Sequence, residues 1–198
     1  MTFDILQAIC WSITYVFLII YAIKFKTHAI PLIAVCLNFS WETIAFLGSI
    51  RNMRFSAPLF MHTAWLFLDL IIVCLYMFYE TRFRENTKEK RYFVCGYICM
   101  LVCLFVLFYK GYMLLSCFTI DLIMAIAFLR FLIKERFYRS WILCFVGIFK
   151  LLGDFFAWLF YRDDPIVNII GVVVLFCNII YLIILRIKSV NTLSKEAI

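Results

Sequence analysis

The chain has 198 residues, of which 67% are hydrophobic and only 16% charged, against roughly a quarter charged in an ordinary soluble domain. With a mean hydropathy of +1.03, these values exclude a soluble fold and a disordered one and give an all-α integral membrane protein. The net charge of +7 does not signal a nucleic-acid partner, because surplus Lys and Arg on one side of a membrane protein set its orientation.

At about 20 residues per spanning helix, the length accommodates a seven-helix bundle with short connections and leaves no room for a soluble catalytic domain. The predicted spans are 5–23, 29–50, 58–79, 92–109, 112–133, 140–161 and 165–187. The first follows Asp4 and lacks a basic n-region and a small-residue cleavage site, so it is expected to span rather than to serve as a signal peptide. The second carries Asn38, Trp41 and Glu42, with Asn38 one turn before Glu42 and placed to orient it by a hydrogen bond. The third puts His62, Trp65 and Asp69 on one face, at i, i+3 and i+7. Residues 80–91 are densely charged and read as a solvated loop.

The fourth span carries Cys95, Cys99 and Cys103 as a row along one face, expected to be small packing residues rather than ligands or disulfides. All nine cysteines lie in apolar segments, and none has a metal-site spacing. The fifth span holds Asp121. The sixth holds Lys150 and Asp154, one turn apart and able to pair along the helix. The seventh holds Asn178 and Tyr181 on one face. No Gly/Ser linker divides the chain, so residues 1–198 are expected to form one domain.

The ionisable residues inside the spans carry the functional information. Glu42, Asp69, Asp121, Lys150 and Asp154 would each cost roughly 2.5–3.5 kcal/mol at a helix centre, and such residues face the bundle interior, find partners and mark function. Interhelical hydrogen bonds of about 0.6 kcal/mol offset little of that cost, which favours a polar pocket over simple glue between helices. Trp41 and Trp65 adjoin carboxylates, and aromatic faces attract cations. The second and sixth spans each hold one interior carboxylate, Glu42 and Asp154, and Asp69 and Asn178 recur at a similar offset. This suggests two parallel three-helix repeats joined by the fourth helix.

The stretch Asn38-Phe-Ser-Trp41-Glu42, followed by Trp65-Leu-Phe-Leu-Asp69-Leu, resembles the transmembrane terpene cyclases, as a bacterial-type relative of the fungal meroterpenoid and indole-diterpene cyclases. Their pattern is an Asn-x-x-Trp-Glu stretch on helix 2 and a Trp-x-x-x-Asp stretch on helix 3. The passage from Arg130 to Lys150-Leu-Leu-Gly153 also looks like the family's. The resemblance implies a seven-helix enzyme that cyclises a lipid-soluble isoprenoid, with Glu42 matching the acid that initiates the reaction. The family's second acid, on helix 7, falls at Asn178 here. Either Asp69 or Asp154 supplies the second carboxyl, or the substrate differs, or catalysis is lost.

The chemistry stands on its own terms as well. A carboxyl group in a low-dielectric pocket favours its neutral form and can protonate an epoxide or alkene, while ring faces stabilise the cation and exclusion of water prevents early quenching. No aspartate-rich motif for a magnesium-bound diphosphate and no redox-cofactor motif is visible, so no cofactor and no metal are expected. The predicted site comprises Glu42 and Asp69 as catalytic groups, with Asn38, Trp41, His62, Trp65, Asp121, Lys150, Asp154, Asn178 and Tyr181 around the substrate. Membrane lipids are the other expected partner. Two alternatives fit the same features: a small seven-helix transporter or channel, and a non-catalytic lipid-binding protein.

Orientation follows from charge. The connections after the first, third and fifth spans, together with the C-terminal tail, carry thirteen Lys and Arg, against four on the other side (Arg51, Arg54, Lys110 and Arg162). The N-terminus is therefore expected outside and the C-terminus in the cytoplasm. A reporter fused to the C-terminus should be active only on the cytoplasmic side; activity only on the outer side rejects this topology.

Overall fold

In hydrocarbon every backbone N–H and C=O must be satisfied internally, and continuous helix is the form an isolated segment can take. The computed structural model describes residues 2–28, 30–51, 57–79, 87–134 and 141–196, and among them are seven helices and no strand. They are α1 (Thr2–Phe25), α2 (Leu32–Arg51), α3 (Ala57–Tyr79), α4 (Thr87–Tyr109), α5 (Met113–Lys134), α6 (Trp141–Tyr161) and α7 (Pro165–Glu196). All seven are long and apolar enough to cross a membrane.

Two boundaries differ from the sequence expectation. α4 begins at Thr87, inside the segment read as a loop, and α7 runs on to Glu196. Hydropathy marks where a helix leaves hydrocarbon, not where it ends. The α4 extension, Thr87-Lys-Glu-Lys-Arg91, consists largely of residues with good helix propensity.

Local chemistry sets several helix ends. α4 closes on Gly111, whose φ of 83° lies in the left-handed region that glycine enters without a Cβ penalty. The amides of Gly111 and Tyr112 then bond back to Phe108 O (3.1 Å) and Leu107 O (2.9 Å), satisfying carbonyls left over at the helix terminus. α7 starts on Asp164, whose Oδ1 accepts from the amides of Ile166 (2.9 Å) and Val167 (3.1 Å), with Pro165 in the first helical position where its missing N–H costs nothing. At the C-terminal end of α5, Lys188 of α7 donates to the carbonyls of Leu132 and Ile133, placing a cation at the negative end of that helix.

Six helices close a ring in the order α1, α3, α2, α5, α7, α6 and back to α1, the α1–α6 contact being the most extensive. α4 lies outside the ring against α2 and α5. Within α1–α3 and again within α5–α7, the third helix packs on the first and second, while those two do not meet among the described residues. Across the halves α1 meets α6 and α5 meets α2, so exchanging the two triplets preserves every neighbour in the ring. This arrangement matches the sequence repeat, with α4 as the linking helix.

Because α4 packs through only one side, its rows separate sharply. Phe93 and Leu104 are buried, and Phe93 O meets the Cys36 thiol of α2 at 4.0 Å. Cys95, Cys99 and Cys103 are exposed on the opposite side. The expectation that these are packing residues is thus overturned: they face outward, with no helix against that flank among the described residues. The ring interior is filled by Tyr15, Leu18, Tyr21, Trp65, Met124, Leu132, Ile142, Val146 and Tyr181, among others. A smaller cluster of Phe118, Ala157 and Val167 packs with Trp158 between α5, α6 and α7.

Small residues let membrane helices approach closely. A Cβ built on Gly171 would stand 2.5 Å from Trp158 Cδ1, and Trp158 cannot easily yield because its Nε1 donates to Asn168 Oδ1 at 2.7 Å. Gly171→Val should therefore destabilise the protein by about 1–3 kcal/mol through overpacking. Thermal unfolding of the detergent-solubilised protein measures this as a lowered Tm; an unchanged Tm would contradict the packing described.

Candidate functional site

The buried polar residues of this bundle are Thr14, Ser40, Glu42, Asp69, Ser116, Lys150, Asp154 and Asn178. The five that carry a charge or an amide fall into two clusters, where the sequence suggested a single pocket.

The first cluster joins α1, α2 and α3. Asn38 Nδ2 donates to both oxygens of Asp69, at 2.9 and 3.0 Å, and also meets the Tyr15 hydroxyl. Tyr15 OH lies 3.5 Å from Asp69 Oδ2. Glu42 is held separately: its Oε2 meets His62 Nδ1 at 3.0 Å. The expectation that Asn38 orients Glu42 is thereby corrected. Asn38 turns toward α3 and the Asp69 carboxylate, and the α3 imidazole takes up Glu42. Trp65 stands between these pairs, its ring edge-on to His62 with centroids 5.8 Å apart and its Nε1 donating to Ser12 Oγ at 3.0 Å.

The second cluster joins α6 and α7. Lys150 Nζ and Asn178 Nδ2 both donate to Asp154 Oδ2, each at 2.6 Å, so the helical Lys150–Asp154 pair expected from the sequence is present. Asp154 Oδ1 has no hydrogen-bond partner among the described residues. Tyr181, expected beside Asn178 at the substrate, instead packs edge-on against Phe128 with centroids 6.3 Å apart and belongs to the hydrophobic core.

Trp11 links the two clusters. The Lys150 ammonium sits 4.9 Å from its ring centroid, a cation–π contact worth about 2 kcal/mol when desolvated. A Cβ at Gly153 would come within 2.8 Å of the ring, so α6 must be bare there for Trp11 to fit. The other side of Trp11 lines a cavity of about 40 Å³ together with Gln7, Tyr15, Asn38, Trp41, Glu42, Trp65, Cys117, Ile120 and Asp121. Asp121 lies within electrostatic reach of Asp154, Lys150 and Glu42. The four carboxyl groups of Glu42, Asp69, Asp121 and Asp154 thus outnumber the two basic groups, His62 and Lys150, set among them. Such a surplus of acid favours a bound or developing positive charge.

Five of the wall residues had no place in the sequence-derived site: Gln7, Trp11 and Tyr15 of α1 and Cys117 and Ile120 of α5. Their signal is present: Gln7, Trp11 and Tyr15 repeat every four residues on α1, and Cys117 precedes Asp121 by one turn. In a helix that is apolar all round, such a stripe is hard to tell from lipid-facing aromatics. The cavity has room for about three waters, whereas ligand pockets run to roughly 300–1,000 Å³. A ligand larger than a few waters would need the walls to move apart, and Gln7, Trp11, Asn38, Trp41, Cys117 and Asp121 are the wall residues that are only half-buried.

The Lys150–Asp154 pair has a direct test. Removing one partner leaves a buried charge uncompensated, at a cost of about 3–5 kcal/mol, whereas replacing both with apolar residues of similar volume costs far less. Lys150→Met and Asp154→Leu should each destabilise the protein more than the double variant does. Unfolding titrations of the three variants measure the coupling, and strict additivity would show that the two groups do not depend on each other.

Comparison with known proteins adds an independent observation. No curated protein and no solved structure matches the chain. A family model described as Pyr4-like transmembrane terpene cyclases matches residues 1–189, a stretch that includes all seven apolar spans and every residue of both polar clusters. The protein is thus a multi-pass integral membrane protein, and the chain belongs to the family of Pyr4-like transmembrane terpene cyclases.

Proposed function

We propose that the chain cyclises a lipid-dissolved isoprenoid by protonating an epoxide or an alkene, with Glu42 as the acid. The observation that carries this reading is the position of Glu42. Its side chain is 4% exposed, it lines the cavity, and His62 engages only Oε2. No protein group among the described residues bonds Oε1, which remains available to a substrate atom.

The surroundings suit the later steps. Proton transfer from Glu42 to an epoxide oxygen opens the C–O bond, and the resulting carbocation is attacked by the next alkene of the chain. Trp11, Trp41, Trp65 and Tyr15 supply ring faces on the cavity wall that attract the moving positive charge. Asp121 on the wall and Asp69, held by the wall residues Asn38 and Tyr15, place carboxyl oxygens near the developing positive charge. Transfer of a proton from carbon to a base at the cavity, an ionised wall carboxyl such as Asp121 or a water, ends the reaction, so the product is an isomer of the substrate. Asn178 stands where the family's second acid is placed; it donates to Asp154, so the carboxyl in that region is carried by α6.

The charge asymmetry supports an N-terminus outside and a C-terminus in the cytoplasm. On that orientation the cavity opens nearer the outer face, because it is lined from the first turns of α1 and α5. The paired triplets are also an architecture used by small transporters. Isomer formation in detergent, where no two compartments exist, separates catalysis from transport.

The test is to incubate the purified protein with epoxidised and plain polyprenyl compounds and to separate products of unchanged mass by chromatography and mass spectrometry. Cyclic isomers should form. Glu42→Gln keeps the size and hydrogen-bonding capacity of the side chain and should lower turnover by roughly 100-fold or more, with the folded protein retained. Asp69→Asn should impair turnover less. Undiminished product from Glu42→Gln would reject Glu42 as the donor.

A further inference from the structure

Once Glu42 has given its proton away, the acid must be restored before a second turnover, and its side chain is almost wholly buried. Resting on the reading of Glu42 as the donor, we propose that His62 reloads it with a proton drawn from the aqueous face where α3 begins.

The geometry supplies each element of such a relay. His62 Nδ1 is 3.0 Å from Glu42 Oε2, within the distance for direct proton transfer. His62 lies about one and a half turns inside the start of α3, and Glu42 about two and a half turns inside the end of α2. Those two helix ends are joined through residues 52–56 and therefore emerge on the same face. Exposure follows the same gradient: the His62 side chain is 12% exposed and that of Glu42 is 4%. The imidazole thus connects a group closed off from water to a position nearer water. Its ring is kept in line by the edge-on contact with Trp65, which Ser12 anchors in turn.

Histidine is the side chain whose protonation changes most readily near neutral pH. A proton arriving at Nε2 gives the imidazolium. The imidazolium passes its Nδ1 proton to the Glu42 carboxylate, leaving a neutral ring with hydrogen on Nε2, and tautomer exchange with water resets it. The other titratable groups facing this pair are few. α1 presents Tyr15 and α3 presents Asp69. α5 presents Asp121 and Cys117, and α4 presents Tyr97, whose hydroxyl is engaged by Thr43 at 3.3 Å. None of these lies within hydrogen-bond distance of the Glu42 carboxyl, so His62 is its direct proton partner among the described residues.

The experiment needs no substrate. After a rapid downward pH jump, the carboxylic C=O band of Glu42, identified by its loss in Glu42→Gln, is followed by time-resolved infrared spectroscopy. In His62→Asn its rise should slow by roughly 100-fold, and imidazole added to His62→Gly should restore the rate in proportion to its concentration. An equal rate in wild type and His62→Asn overturns the relay. If neither variant folds, the wild-type protein decides: the imidazolium band of His62, separated from that of His28 by a His28→Asn variant, must rise before the Glu42 band. Simultaneous rise or no imidazolium band overturns the proposal. With substrate, His62→Asn should lose steady-state turnover more than it loses the first turnover, whereas equal losses would assign His62 a purely structural part. An infrared dependence on His62 with no cyclic product leaves the relay standing and removes the cyclase reading; product formation without the infrared dependence removes the relay alone.

Discussion

A carboxyl group placed among helices in hydrocarbon must be met by donors from those helices, since lipid supplies none and burial without a partner costs several kcal/mol. Asp69 shows what this obligation does to the architecture. Its two oxygens are met by Asn38 from α2 and approached by Tyr15 from α1, so three helices are fixed in rotation and depth by one side chain. Asp154 does the same for α6 and α7 through Lys150 and Asn178. The hydrophobic effect cannot supply this specificity here, because lipid tails and apolar side chains are equivalent surroundings. The polar contacts therefore decide which faces turn inward.

The ring built on these contacts places the two clusters in its opposite halves and Trp11 between them. Corresponding positions of the triplets differ in chemistry while both being polar: Asn38 and Glu42 on α2 answer to Lys150 and Asp154 on α6, and Asp69 on α3 to Asn178 on α7. The α6–α7 cluster carries its own counter-cation and ties its carboxylate into a short network. The α2–α3 cluster has only an imidazole, which can gain or lose its proton. One half of the ring is thus suited to hold a fixed charge and the other to move a proton. Trp11 meets the first through its cation–π contact and the second as a wall of the cavity.

α4 stands apart from this division. It contributes Phe93, Tyr97 and Leu104 to the packing around α2 and presents its remaining surface outward, with residues such as Tyr92 and Phe105 mostly exposed. As a link between two triplets of the same sense, it has to cross the membrane once without entering the ring. An apolar helix with a single packed side satisfies that requirement.

The sequence by itself determined the all-α class, the seven spans, the polar positions and the pairing of Lys150 with Asp154, because hydrophobic length, insertion cost and helical spacing are local properties of the chain. The pattern of Asn38, Trp41, Glu42, Trp65 and Asp69 also carried the family. The tertiary structure alone decided which helices adjoin, and with that the partners. Asn38 lies one turn from Glu42 on the same helix yet serves Asp69, since the ring brings α3 against that face of α2 and offers His62 to Glu42. Tyr181 shares a face with Asn178 but enters the core, and the cysteine row of α4 faces outward, since adjacency along one helix does not say which side meets a neighbour. Tyr15 and Trp11, silent in an apolar helix, became walls of the site when the ring closed α1 against both α3 and α6. Their role depends on contacts between residues far apart in the chain, which no local periodicity encodes.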